Sequence, residues 1–159
     1  MITPPLPHVG RLIRRAQQVH TRVWGNVVSE EVTSPQFAVL LALDSHPDAD
    51  QRTIGRAASL DRSTVADVVD RMARRGYIER RRDPVDQRRN LLCLSNAGRE
   101  LLQELIGRAR AMNQNLLETL DETARAEFLR LLTKFVSLIE GAGGLTGQEP
   151  SETRVLGPS

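Results

Sequence analysis

Among 159 residues the chain has one cysteine, one tryptophan, one tyrosine, three phenylalanines and three histidines. A single thiol, Cys93, excludes an internal disulfide, and His8, His20 and His46 are too scattered in sequence to suggest a metal site, so neither metal nor cofactor is expected. Long apolar runs are missing too. No stretch approaches the roughly 18 consecutive apolar residues that a spanning helix requires, and the N-terminus lacks a basic segment followed by an apolar one. The expected setting is therefore the cytoplasm, with no membrane partner. The absence of a glycine-rich phosphate loop and of a nucleophile motif argues against an enzyme. What remains, at 40% hydrophobic content, fits one globular domain, or one lobe joined to a second, helical lobe.

Lysine is nearly absent as well: only Lys134 stands among 22 basic residues. The arginines are segregated. Residues 51–90 hold eleven of them against six acids, a local net charge of +5, which leaves −3 for the rest of a chain whose net charge is +2. A concentrated positive face attracts a polyanion such as DNA, although a solvated charged surface is equally compatible with this count.

Pro4, Pro5 and Pro7 predict an extended arm. From Val9 to Val27, apolar residues at 9, 12, 13, 16, 19, 23 and 27 have the spacing of one helical face. Ser34-Pro35 predicts a helix start with Ser34 as N-cap, and His46-Pro47 predicts its end. Thr53–Ser59 allows about two turns of helix, weakened by Gly55. Leu60–Ser63 is a tight connection in which Asp61 or Ser63 can cap a helix carrying Val65, Val68, Val69 and Met72, stopped by Gly76. Two helices joined so closely make a helix-turn-helix. The β-compatible runs Tyr77–Arg82 and Leu91–Leu94, separated by turn formers from Asp83 to Asn90, predict a hairpin with arginines at its tip. Ser95 and Asp121 can cap two long helices, one with Leu102, Leu105, Ala109, Met112 and Leu116 on its stripe, the other with Phe128, Leu131, Leu132, Phe135, Val136 and Ile139. Residues 141–159, rich in glycine, serine and proline, predict a disordered tail.

This order of elements resembles the MarR family of winged-helix regulators. The residues that carry the resemblance are Leu60-Asp61-Arg62-Ser63-Thr64-Val65, Val69-Asp70-Arg71-Met72, Gly76-Tyr77-Ile78 with Arg80, Asp83-Pro84-Val85-Asp86-Gln87-Arg88, and Leu94-Ser95-Asn96-Ala97-Gly98. Asp86 and Arg88 match that family's Asp-x-Arg wing element. The sequence departs from the pattern at Ile54-Gly55, where the family often has Leu-Ala, and at Gln87, a wing position often basic in the family, next to Arg89. The expected fold is mainly α: a winged helix-turn-helix lobe with a two-stranded wing at 33–95, an arm and first helix at 1–32, C-terminal dimerisation helices at 96–140, and the tail. The resemblance implies a dimeric transcription regulator.

A helix of about 10–12 Å diameter fits the DNA major groove. Arg62, Ser63, Thr64, Asp67 and Arg71, on the front of the second helix of the motif, are the candidates for base and phosphate contacts. Ser63 and Thr64 could instead only cap the helix, and Asp67 could instead pair with Arg71. On the wing, Arg88 is expected in the minor groove, with Asp86 holding its guanidinium and Arg89 nearer phosphate; the bland alternative is a solvated loop. A homodimer would place two such helices about 34 Å apart on a pseudo-palindromic DNA operator, unless the stripes of the terminal helices complete a monomer core instead. MarR-like proteins often release DNA on binding small phenolic or aromatic acids. That resemblance, with the helical wheel of the first helix, selects Arg15, His20 and Trp24 as candidate contacts for a small aromatic carboxylate effector and makes a repressor the expected role. A solvated Arg15, a core His20 and a Trp24 packed at the dimer interface are the alternative. Two other functional readings stay open: a redox-responsive regulator acting through Cys93, and a winged-helix protein-interaction module without DNA binding.

Overall fold

The computed structural model describes residues 8–88 and 90–141; the expected arm at 1–7, Arg89 and the expected tail from 142 onward lie outside the described residues. The element order is α1 (Val9–Val27), α2 (Ser34–Ser45), β1 (Ala49–Asp50), α3 (Gln51–Ala57), α4 (Arg62–Arg74), β2 (Ile78–Arg82), β3 (Asn90–Leu94), α5 (Asn96–Glu118) and α6 (Glu122–Gly141). No helix among the described residues is long and apolar enough to cross a membrane.

Local chemistry sets these boundaries. Thr33, rather than Ser34, caps α2: its hydroxyl accepts the Gln36 N–H while the Gln36 side chain accepts the Thr33 N–H at 2.9 Å, a reciprocal capping box that moves Pro35 into the first turn. Asp50 caps α3 by accepting the Thr53 N–H at 2.8 Å, so this helix starts two residues earlier than its sequence suggests. Gly76 ends the α4 region at φ +78°, a conformation that costs glycine nothing.

The sheet is antiparallel in the order β1-β3-β2, with Ile78 opposite Leu94, Arg80 opposite Leu92, and Leu92 also opposite Ala49. The expected two-stranded wing thus gains a third, two-residue strand from the α2–α3 connection. The core beneath it is built by Leu40 and Leu43 of α2, Ile54 of α3, Val65, Val69 and Met72 of α4, and Leu92 and Leu94 of the sheet, all buried. At about 1.5–3 kcal/mol for each such side chain removed from water, this cluster holds α4 to the sheet.

The chain divides into two compact units, Met1–Asn115 and Leu116–Ser159. In the first, α5 buries Leu102, Leu105, Ala109 and Met112, so its stripe completes the core of the chain itself. Its first turn meets the end of the α4 region closely. The Ser95 hydroxyl donates to the Gly76 carbonyl at 2.6 Å and accepts the Gly98 N–H at 3.0 Å, while a Cβ at Gly98 would lie 2.1 Å from the Tyr77 carbonyl oxygen. In the second unit Asp121 caps α6 through the Ala124 N–H at 2.9 Å, and the Arg125 guanidinium donates back to the carbonyls of Leu117 and Leu120.

Candidate nucleic-acid interface

Helix α4 buries Val65, Val68, Val69 and Met72 and exposes Arg62, Ser63, Asp67, Arg71 and Arg74, with Thr64 half-buried. The expected inward and outward faces are those observed. Asp61, not Ser63, is the N-cap. Its carboxylate accepts the backbone N–H groups of Ser63 at 2.9 Å and Thr64 at 3.0 Å, and also the hydroxyl protons of both residues, at 2.6 and 2.5 Å. The Ser63 hydroxyl, then that of Thr64, hold the Asp61 carboxyl far below the usual carboxylate range. Asp67 pairs with Arg71 one turn on, at 3.0 Å between charged atoms and 3.1 Å through the guanidinium Nε. The pair fixes the planar fork of Arg71 against the helix and leaves its remaining donors outward.

Along β2, alternation separates the three arginines, as strand geometry requires. Arg80 reaches back to Asp70 of α4, and Arg81 pairs with Glu79 at 3.0 Å. Arg82 donates to the Gln87 carbonyl at 2.8 Å, bracing the hairpin tip. Within that tip Asp83 accepts the Val85 N–H at 2.8 Å, and Asp86 accepts the Arg88 backbone N–H at 3.0 Å. The expectation that Asp86 grips the Arg88 guanidinium is therefore corrected: the short carboxylate reaches the local backbone and fixes the turn, and the Arg88 side chain projects from it, exposed. The expected phosphate contact, Arg89, lies outside the described residues.

Gly55 gives the departure at Ile54-Gly55 a packing reason. A Cβ there would sit 3.2 Å from Val65 Cγ1 and 3.4 Å from the Leu60 carbonyl, so glycine lets α3 approach α4.

The candidate effector residues share α1 but not an environment. Arg15 is exposed and His20 half-buried, with the His20 and Trp24 rings 6.3 Å apart. Trp24 departs from the expected crevice-lining role. Only 5% exposed, it packs against Phe37 at 5.1 Å between ring centres and donates its indole N–H to the Val32 carbonyl at 2.6 Å. A shallow depression of about 220 Å³, lined by Ala42, His46 and Ser59 among others, lies elsewhere and includes none of the three.

Sequence reasoning missed two long-range ties to the α1–α2 connection. Arg75, at the end of α4, donates to the Glu31 carbonyl at 3.1 Å, meets the Glu31 carboxylate at 3.6 Å and lies 5.2 Å from the centre of the Tyr77 ring. Arg108 of α5 donates to the Val28 carbonyl at 3.3 Å. With the partners 44 and 80 positions apart in sequence, no local pattern signals either.

A profile of the MarR family matches residues 32–89, the span from the α2 cap to the wing tip. The HTH-type transcriptional repressor NicR of Pseudomonas putida is 32% identical over 136 residues, covering 85% of this chain and 86% of that one. The chain belongs to the MarR family. Its membership makes it a DNA-binding transcriptional regulator with the winged-helix fold, and the alternative of an interaction module that leaves DNA alone falls away. Among solved structures, the MarR-family protein is similar to the PcaV regulator of Streptomyces coelicolor in complex with its natural ligand, with 44% identity, a TM-score of 0.79 and coverage of 86% of this chain and 97% of that one. It is also similar to BpsR of Bordetella bronchiseptica, whose DNA binding is regulated by 6-hydroxynicotinic acid, with 28% identity, a TM-score of 0.78 and coverage of 86% and 98%.

Proposed function

We propose that the protein is a repressor that binds a pseudo-palindromic operator as a homodimer and leaves it when a small aromatic carboxylate binds. The observation that carries the effector is the charge of α1: Arg11, Arg14, Arg15 and Arg22 share a helix that contains no acid. An anion is the natural ligand of such a surface. Arg15 offers a carboxylate two parallel hydrogen bonds from its planar fork, and His20 meets a ring hydroxyl. Trp24, buried with its N–H bonded to Val32, supplies a fluorescence signal through the His20 ring 6.3 Å away. The relatives support this reading: NicR is named a repressor, and 6-hydroxynicotinic acid, which regulates BpsR, is itself a hydroxylated aromatic acid.

On the operator, Arg62, Ser63, Thr64 and Arg71 face the major groove, with Asp67 orienting Arg71. Arg88, positioned by the Asp86 turn, enters the minor groove, and Arg89 binds phosphate. The dimer forms through the apolar faces that the single chain leaves open, on α6 and on the first half of α1.

The test is titration of a hydroxybenzoate into the protein–operator complex, followed by DNA anisotropy and Trp24 emission. Dissociation with a change in emission is expected. Arg15→Ala should abolish the response with operator affinity nearly intact, because Arg15 lies outside the reading head. Retained induction in that variant, or no response to any aromatic acid tested, would sink the proposal.

A further inference from the structure

We infer that Ser63 and Thr64 read DNA as hydrogen-bond acceptors, so that the groups they recognise are the exocyclic amino groups of bases, adenine N6 and cytosine N4. The inference rests on the reading that the start of α4 enters the major groove, and it assigns that contact a chemical polarity.

A serine or threonine hydroxyl carries one proton and two lone pairs. In free solution it can turn to suit either kind of partner. Here it cannot. The Ser63 Oγ lies 2.6 Å from Asp61 Oδ1 and the Thr64 Oγ1 2.5 Å from Asp61 Oδ2. An ionised carboxylate has no hydrogen to give, so in both contacts the hydroxyl must donate. Both O–H groups are thereby committed, and only lone pairs face outward. With the N–H groups of Ser63 and Thr64 also bonded to Oδ1, the carboxylate receives four bonds, about its full capacity.

Turning either hydroxyl toward DNA as a donor would break a charge-assisted bond, roughly twice as strong as a neutral one. Guanine O6 and N7, thymine O4 and phosphate oxygen are all acceptors, and they would also meet the Asp61 charge at close range. An amino group meets the opposite situation: a lone pair to accept its proton and a negative charge behind that lone pair. Each base pair displays one such amino group in the major groove, so the polarity selects which strand and which edge is read.

The experiment selects the operator from random duplexes with the full chain, then crosses protein variants with base analogues. Replacing the contacted adenine by purine, or the contacted cytosine by pyrimidin-2-one, removes only the amino group. This should weaken wild-type binding by about threefold to tenfold, the worth of one hydrogen bond. It should cost nothing further in Ser63→Ala or Thr64→Val at the position each residue reads. Replacing N7 by carbon in a purine, or a phosphate by methylphosphonate, should cost wild type and variants equally. Asp61→Asn keeps a good helix cap with its amide oxygen in the place of Oδ1, where the Ser63 hydroxyl still donates. It puts an amide N–H₂ in the place of Oδ2, facing the Thr64 hydroxyl, so coupling to amino groups should fall at the position Thr64 reads and persist at that of Ser63, while helicity by circular dichroism is kept. Coupling of either hydroxyl to N7 or to a phosphate would overturn the inference while leaving the groove contact standing, as would undiminished amino coupling at the Thr64 position in Asp61→Asn. Variants that lose no specific affinity at any base would remove the groove contact itself, and the inference with it.

Discussion

Every buried hydrophobic residue described in this protein lies between Trp24 and Met112, whereas α6, with Phe128, Leu131, Leu132, Phe135, Val136 and Ile139 on its surface, buries none. Both regions are rich in large apolar side chains. In the reading head, α2, α3, α4 and the sheet cover one another, and no buried side-chain polar atom among the described residues lacks a hydrogen-bond partner. On α6 the large apolar residues recur with helical spacing and remain between 37% and 62% exposed. The first half of α1 is similar, with Val9, Leu12 and Ile13 about half exposed. Amphipathic surface of this extent on a single chain marks a face that a partner covers. One region is therefore finished by its own sequence, and the other is the face that the proposed second copy would cover.

The largest effect should come from spoiling the unfinished face. Leu132→Glu should turn a sedimenting dimer into a monomer and lower operator affinity by about a thousandfold, toward the level of nonspecific binding, while the far-ultraviolet dichroism of the head persists. A monomeric variant that still binds two half-sites tightly would break the comparison.

The finished region should fail differently, by losing stability. Gly98→Ala places a Cβ against the Tyr77 carbonyl, a backbone atom held in turn by the Ser95 N–H at 3.1 Å, so neither side can move aside cheaply. A loss of about 3 kcal/mol is expected from such overpacking, read as a lower urea midpoint. Gly107→Ala on the same helix has open space around its Cβ and should stabilise by up to about 1 kcal/mol through helix propensity. Equal effects at the two glycines would show that close packing at the α5 start is not what constrains Gly98.

Arg88→Ala should act more gently, because the wing tip is built by Asp83, Asp86 and Arg82 and does not depend on this side chain. Binding to all DNA sequences should weaken together, and the slope of log K against log salt should shrink by about 0.9 for each phosphate that the variant no longer neutralises. An unchanged affinity and slope would remove the wing from the interface.

The same contrast explains what could be read in advance. Periodicity and caps placed α1 at its observed bounds, put Val65, Val68 and Met72 inward on α4, and located the hairpin, because these depend on neighbours within a few residues. What covers each face was not legible. The stripes of α5 and α6 look alike in sequence, yet one is buried within the chain and the other is exposed. Trp24 sits on the flank of its helical wheel, and only the Val32 carbonyl and Phe37, both beyond the helix, draw it into the core. Strand β1 has two residues and exists because β3 is there to pair with it. Asp86 satisfies the backbone of its own turn before it can reach a side chain, a competition that the Asp-x-Arg pattern alone does not reveal.

The smallest effect should follow from Cys93, and it separates two routes by which a signal could enter. This residue is 6% exposed on β3 between buried Leu92 and Leu94, and burial pushes the pKa of its thiol up, so it stays protonated and unreactive at neutral pH. The carbonyl of Glu79 lies 3.9 Å from the sulfur, a weak contact that does nothing to favour the thiolate. An oxidant would have to open the finished core to reach this atom, whereas an anion reaches the exposed arginines of α1 without disturbing it. Cys93→Ala should therefore leave operator affinity and effector release unchanged, with a stability loss of about 1 kcal/mol from the small volume removed. Hydrogen peroxide should likewise leave the wild-type complex intact in an anisotropy assay. Release by peroxide that Cys93→Ala abolishes would show that the head opens in solution, and would move the signal's entry point from α1 to the sheet.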